Sequence, residues 1–301
     1  MNFFQRLFLQ PEMEIKPKDQ PQPEEADPPD QKQRGQINHL PPGLHIGRLS
    51  DIGRERERNE DSFFVFSALL QHDNGQESFG LFIVADGMGG HQKGEVASSL
   101  ATRTVADQIL RDVYLPYLGH NQSAANKPIN EALIAAVEKA NVLVQEQVPE
   151  AGTTLTAALV MGSNAYLAHI GDTRAYLLTL EASKQITKDH SLAKRLEELG
   201  QGSSTELARV QNVLYRAIGQ NSTIEVDTYI QHLPPASSLL LCSDGLWGLV
   251  GTETIKEIVN NSVTPQEACE RLISAANDNG GHDNITAVLV TVGVEGKSLL
   301  T

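Results

Sequence analysis

Cysteine is nearly missing from this 301-residue chain: there are two, Cys242 and Cys269. Neither stands at the spacing of a zinc site, and the pair makes no disulfide framework. Cys242 falls in an apolar run and Cys269 in a helical pattern, so both read as small core residues, and a reducing, cytoplasmic setting is expected. Basic residues are also in deficit, with 24 Lys and Arg against 38 Asp and Glu and a formal charge of −14. Nucleic-acid binding needs clustered Lys and Arg against phosphates, so that class is set aside, and a two-metal nuclease is disfavoured with it. No run of about eighteen apolar residues occurs, which excludes a spanning helix. Met1 to Leu9 is partly apolar but lacks a long apolar region and a small-residue cleavage site. It reads as a frayed terminus, with contact to a membrane surface or a partner as the alternative.

Proline is concentrated: eight of the fourteen fall in residues 1–42, among Gln, Glu, Asp and Lys and with almost no aromatic residue after Phe8. Such a segment cannot bury enough apolar surface to offset the entropy of ordering, so residues 1–42 are expected to be a disordered or extended leader. One domain is expected over 43–295, followed by a short tail, 296–301, and a monomer is the expected state. With 40% hydrophobic residues the chain can bury a core.

Within the domain, Leu44 to Ser50, Ser62 to Ala68 and Phe79 to Ala85 read as strands. Glu95 to Val113 reads as a helix, with Val96, Leu100, Val105, Ile109 and Leu110 on one face. Pro128 to about Val148 reads as a second helix, with Ile129, Leu133, Val137, Ala140 and Val144 on its apolar face. Thr153 to Met161, Ala165 to Ile170 and Thr173 to Thr179 form a predicted meander. His190 to Gly200 is predicted to be a helix closed by Gly200, leading into a polar stretch with little to hold it rigid. Thr223 to Leu233 and Ser237 to Ser243 are predicted strands. Thr264-Pro265-Gln266-Glu267 is a capping box opening a helix to about Asn277, and Ile285 to Val292 is a final strand. The fold class expected is α+β: a layered α-β-β-α sandwich of two antiparallel sheets flanked by helix pairs.

The chemistry gathers where apolar runs stop at acids. The run from Phe79 ends at Asp86-Gly87-Met88-Gly89-Gly90, and that from Ser238 ends at Ser243-Asp244-Gly245. Gly87 is expected to let the backbone turn and bring its carbonyl close to whatever Asp86 binds. Glu60-Asp61 precedes the second strand, Asp172 sits at a hairpin turn, and Asp283 precedes the last strand. Acids clustered at one end of a sheet repel one another unless cations lie among them. Oxygen ligands without His or Cys at metal spacing select hard ions such as Mg2+ or Mn2+.

In order along the chain, Arg56-Glu57-Arg58-Asn59-Glu60-Asp61, Asp86-Gly87-Met88-Gly89-Gly90-His91, Gly152-Thr153-Thr154, Ile170-Gly171-Asp172-Thr173-Arg174-Ala175, Asp189-His190-Ser191, Arg216-Ala217-Ile218-Gly219, Ser243-Asp244-Gly245 and Asp283-Asn284-Ile285-Thr286 closely resemble the motifs of the metal-dependent type 2C (PPM) Ser/Thr protein phosphatases in their bacterial form. The resemblance covers residues 44–293. It implies two Mn2+ or Mg2+ ions, with a third often present, and phosphorylated proteins as substrates in signalling. By it Asp86 bridges the first two ions and the Gly87 carbonyl binds the first. Asp244, Asp283 and Glu60 hold the second, Asp61 supports through water, Asp172 with Asp244 carries a weaker third, and Arg56 grips phosphate oxygens. The reaction implied is direct attack of activated water on phosphorus with no phosphoenzyme intermediate. Animal members carry a histidine where this chain has Met88, which leaves a water as the candidate acid. His91 and His190 are given no catalytic role, Trp247 is read as core, and residues 192–212 correspond in position to the mobile flap of bacterial relatives. A catalytically dead binding module is the main rival.

Overall fold

In the computed structural model the described residues are 40, 42–72, 75–89, 92–119 and 127–294. All but two residues of the expected leader, the whole of the expected tail, and His91 lie outside them. Leu40, assigned to the leader on composition, packs against an apolar cluster, and its carbonyl accepts from Val294 N–H at 2.9 Å.

One sheet has the order β1 (Leu44–Asp51), β11 (Ile285–Val292), β10 (Ser238–Cys242), β7 (Arg174–Leu178), β8 (Ser183–Gln185). The other has the order β2 (Asp61–His72), β3 (Gly75–Met88), β5 (Leu155–Met161), β6 (Asn164–Ile170), β9 (Asp227–His232), with the short β4 (Gly152–Thr153) paired to the end of β3. Every pairing is antiparallel. The period of two along each strand divides its side chains between two cores. From β3, Phe82 and Val84 meet Leu239 and Leu241 of β10 and Val288 and Val290 of β11 between the sheets. Leu81 and Ile83 point the other way, into α1 (Lys93–Ile109) and α3 (Ile129–Gln147). Leu240, Cys242, Ala287 and Leu289 face α7 (Thr252–Asn260) and α8 (Pro265–Asp278). The four layers are therefore α-β-β-α, as expected, and both cysteines are buried in the outer core.

Local chemistry accounts for most boundaries. Thr264 caps α8 by accepting from Glu267 N–H, Pro265 fills the first turn, and the Glu267 carboxylate accepts from Val263 N–H. Gly200, at φ +65°, ends α4 (Leu192–Glu198). Three expectations need correction. Val96 is half exposed and does not belong to the buried face of α1, which is carried by Ala97, Ala101, Val105 and Ile109. The helix passes through a π turn, Leu110–Tyr114, into α2 (Leu115–Leu118), where Tyr114 packs between Phe66 and Phe79. The polar stretch after Gly200 is not featureless: a capping box of Ser203 and Glu206 opens α5 (Ser204–Arg209). Its root is closed by Leu192 N–H to the Val213 carbonyl and Tyr215 N–H to the His190 carbonyl. Two short elements, α6 (Asp244–Trp247) and α7, follow β10.

The inter-sheet core should dominate stability. Leu241→Ala, at a fully buried position, is expected to cost about 2–5 kcal/mol in urea unfolding. Leu69→Ala, where the side chain is half exposed, should stay within about 0.5 kcal/mol.

Candidate metal centre

Antiparallel pairing brings one end of many strands to one end of the sandwich. Asp61 opens β2 directly opposite Asp86, two residues from the end of β3. Cys242, which ends β10, pairs with both Ala287 near the start of β11 and Arg174 at the start of β7. Asp244 follows β10, Asp283 precedes β11, and Asp172 lies in the turn between β6 and β7. Arg56, Glu60, Asp86, Gly87, Asp172, Asp244 and Asp283 line one cavity of about 330 Å³, together with Met88, Thr154, Asn212, Leu214 and Asn284. Asp61 lies behind it, buried, with one carboxylate oxygen accepting from Ser243 Oγ at 2.7 Å.

The backbone beneath the cavity is fixed by close approach and by hydroxyl and amide clamps. Gly87 does not turn: it remains extended, pairs with Thr153, and its N–H donates to the Glu60 carbonyl at 3.1 Å. A Cβ there would lie 2.1 Å from the Gly94 carbonyl oxygen, so glycine is needed for space, and the turn comes at Gly89, φ +129°. Gly245 repeats the device, its Cβ position being 2.1 Å from the Asn284 carbonyl oxygen. Asp86 N–H donates to Thr154 Oγ1, and its carbonyl accepts from Thr154 N–H and Thr153 Oγ1. The Asn284 side chain accepts from Glu60 N–H at 2.7 Å and donates to the carbonyls of Ile52 and Arg58. One amide thereby ties the Arg56 loop to the Asp283 loop. Asn284 and the Thr153–Thr154 pair fell within quoted motifs, but nothing in their spacing assigned them these clamps.

Burial and mutual repulsion govern the acids. Burial pushes the Asp61 carboxyl up to about 7, with hydrogen bonds from Thr286 and Ser243 opposing and Asp244 and Asp283 adding to it. Asp86 and Asp172 are held well above the usual carboxylate range, by burial first and then by neighbouring aspartates. Asp244 is pushed up to about 6 by burial and by Asp283, and burial also raises Glu60. The Arg56 guanidinium bonds Asp283 at 2.6 Å, half exposed at the mouth. Asp61 Oδ1 and Asp244 Oδ1 are buried without a hydrogen-bond partner. Among the described residues no three His, Cys, Asp or Glu side chains converge as a ready-made metal cage. Orphaned buried carboxylate oxygens, an all-oxygen donor set and repulsion on every side fit hard divalent cations.

Trp247, expected in the core, packs against the outer core but is only partly buried, and it does more than pack: its Nε1–H donates to the Asp172 carbonyl at 3.0 Å, and the Arg174 guanidinium lies 3.4 Å from its ring centroid. His190 is buried and structural. Its Nδ1 accepts from Gly171 N–H, which leaves the proton on Nε2, facing Asp227.

Residues 47–285 match the family model described as protein phosphatase 2C. The chain is 36% identical over 252 residues to the serine/threonine phosphatase stp of Listeria innocua, covering 82% of this chain and 95% of that protein. It is similar to the serine/threonine phosphatase PstP/Ppp of Mycobacterium tuberculosis, with TM-score 0.67 and 32% identity over 83% of this chain and 99% of that one. It is also similar to the catalytic domain of PstP in complex with 2 manganese ions, with TM-score 0.65 and 33% identity over 83% and 99% of the two chains.

The electrostatics set a pH test. A carboxyl whose folded pKa is raised weakens the fold once ionised, so its penalty grows as pH rises from its unfolded value, about 4, to its folded one. In chelator, Asp244→Asn should raise the unfolding temperature most at pH 8, where Asp244, pushed up to about 6 in the folded protein, is ionised, and by progressively less down to pH 4, where the difference should nearly vanish. Comparing the variant with the parent at each pH removes the opposite contribution of His169, which burial lowers to about 3.

Proposed function

The chain belongs to the protein phosphatase 2C family and is a protein serine/threonine phosphatase; from that premise we propose a metal-dependent hydrolysis of phosphoserine and phosphothreonine in proteins, carried out at the cavity lined by Asp86, Asp244 and Asp283. The observation that carries the reading is the convergence of mutually repelling carboxylates, Asp172 buried and Glu60, Asp86, Asp244 and Asp283 partly so, around a buried, orphaned Asp244 oxygen, with one guanidinium at the mouth. Asp86 and the Gly87 carbonyl would hold one Mn2+ or Mg2+, and Asp86, Asp244, Asp283 and Glu60 a second. Asp61 would support from behind, and Asp172 with Asp244 would hold a third, weaker ion. Bound there, such ions supply Lewis acidity to the attacking water and to the phosphoryl oxygens.

The protein's own groups do the rest. Arg56 presents a planar fork at the cavity mouth, free to turn from Asp283 to the phosphoryl oxygens because it is half exposed. Asn284 and Thr154 hold the loops and strand that carry Glu60, Asp283 and Asp86, so orientation is set before substrate arrives. Met88 lines the cavity but has no proton to give, so the leaving serine or threonine oxygen takes its proton from water. Cys242 is buried in the outer core with its thiol pushed up by burial, which suits a mechanism without a phosphoenzyme. Two free, buried cysteines suit a reducing, cytoplasmic setting, where the protein would act as a monomer against protein kinases in signalling.

Phosphate release from a phosphothreonine peptide should require Mn2+, stop with chelator, and fall at least about a thousandfold in Asp86→Ala. Release that ignores both treatments contradicts the mechanism, and a correctly folded protein inert with every metal and phosphopeptide favours the binding-module reading. The segment from Gln201 to Gln211 stands beside the cavity rather than in it. Replacing it with a Gly/Ser linker should reorder kcat/KM among peptides while turnover of a small aryl phosphate stays within about threefold; equal effects on both would contradict a role in peptide selection.

A further inference from the structure

We propose that Trp247 is a positioning residue: its indole N–H fixes the distance between Asp172 and Asp244, and so sets the affinity for the most weakly held cation. The inference rests on the reading of Asp172 and Asp244 as ligands given above.

Asp244 is the first residue of α6 and Trp247 the last. The Nε1–H bond from Trp247 to the Asp172 carbonyl, 3.0 Å, therefore ties the helix that bears one carboxylate to the turn that bears the other. Asp172 is buried and Asp244 faces the same cavity, so as like charges without a cation between them they push apart. The indole opposes that separation only if it cannot swing, and its ring is pinned. The Arg174 guanidinium carbon lies over it, 3.4 Å from the ring centroid, and Arg174 is itself held by the Asp189 carboxylate through Nε at 3.0 Å and Nη2 at 2.7 Å and by the Tyr176 hydroxyl at 3.0 Å. Asp189 is buried, so the stack is anchored inside the protein rather than at its surface.

The other flank of Asp172 is held independently. Gly171, at φ +106°, donates its N–H to His190 Nδ1 at 3.1 Å and accepts from His190 N–H at 2.7 Å. The turn is thus clamped before Asp172 by His190 and at Asp172 by Trp247. Of the two clamps, only the tryptophan shares an element with Asp244.

The test is calorimetric titration of chelator-treated protein with Mn2+. Trp247→Phe keeps an aromatic face under Arg174 and removes the donor; Trp247→Leu removes both. Each should weaken the weakest Mn2+ step about tenfold while the tighter steps stay within about twofold. Asp172→Ala should abolish that step, and Trp247→Phe added to Asp172→Ala should change nothing further. Unfolding temperature in chelator distinguishes a packing role: the two tryptophan variants should differ there yet agree in the metal step. If both weaken every step alike, or leave the weakest step unchanged while Asp172→Ala removes it, the positioning role is wrong. If Asp172→Ala keeps all the steps, the ligand reading beneath it fails as well.

Discussion

Like charges buried close together are the constraint on which this protein depends. Burial first, and repulsion from neighbouring aspartates second, raise the carboxyl pKa values of Asp61, Asp86, Asp172 and Asp244, with Asp283 adding to the effect on Asp61, Asp86 and Asp244. Left alone, such a set favours protonation or expansion. It persists because the surrounding fold over-determines its backbone. Strand pairing sets Asp61 against Asp86, glycines at 87 and 245 let main chains approach within van der Waals distance, and Asn284 spans two loops with a single amide. The instability is local, and divalent cations turn it into binding energy.

The sandwich makes that arrangement rigid. Each central strand is buried on both faces, by the opposite sheet and by a helix layer, so a strand cannot slip without exposing a complete set of side chains. The acids stand at the ends of these strands, where turns supply free backbone groups and space. The candidate site is thereby confined to one end of a well-packed body, and the segment that carries α4 and α5 reaches its lining only through Asn212 and Leu214 at its far end.

Much of this was legible in the residues. The apolar runs at Phe79–Ala85 and Ile285–Val292 form the buried strands of the layer architecture, and the acids that follow or precede such runs line the candidate site. Less legible were features whose cause is tertiary. Gly87 reads as a turn because Asp-Gly favours turns locally, yet it is kept extended by β4 and needed for its missing Cβ against Gly94. Trp247 reads as core because tryptophan is large and apolar, and only the folded chain brings its N–H to Asp172 and its ring to Arg174. The short helices α5 and α6 span too few turns for a period of 3.6 to stand out, although the Ser203 and Glu206 pair marks where α5 begins, whereas α7 carries Ile255 and Val259 at helical spacing on its buried face.

The central claim is that these carboxylates exist to hold paired cations. Its most direct measurement is anomalous diffraction at the manganese edge from crystals of the intact protein equilibrated with Mn2+. The account predicts two strong peaks in the cavity, both in contact with Asp86 and one also with Asp244 and Asp283. Peaks confined to other surfaces, or a cavity whose carboxylates bind no manganese at saturating concentration, would contradict it.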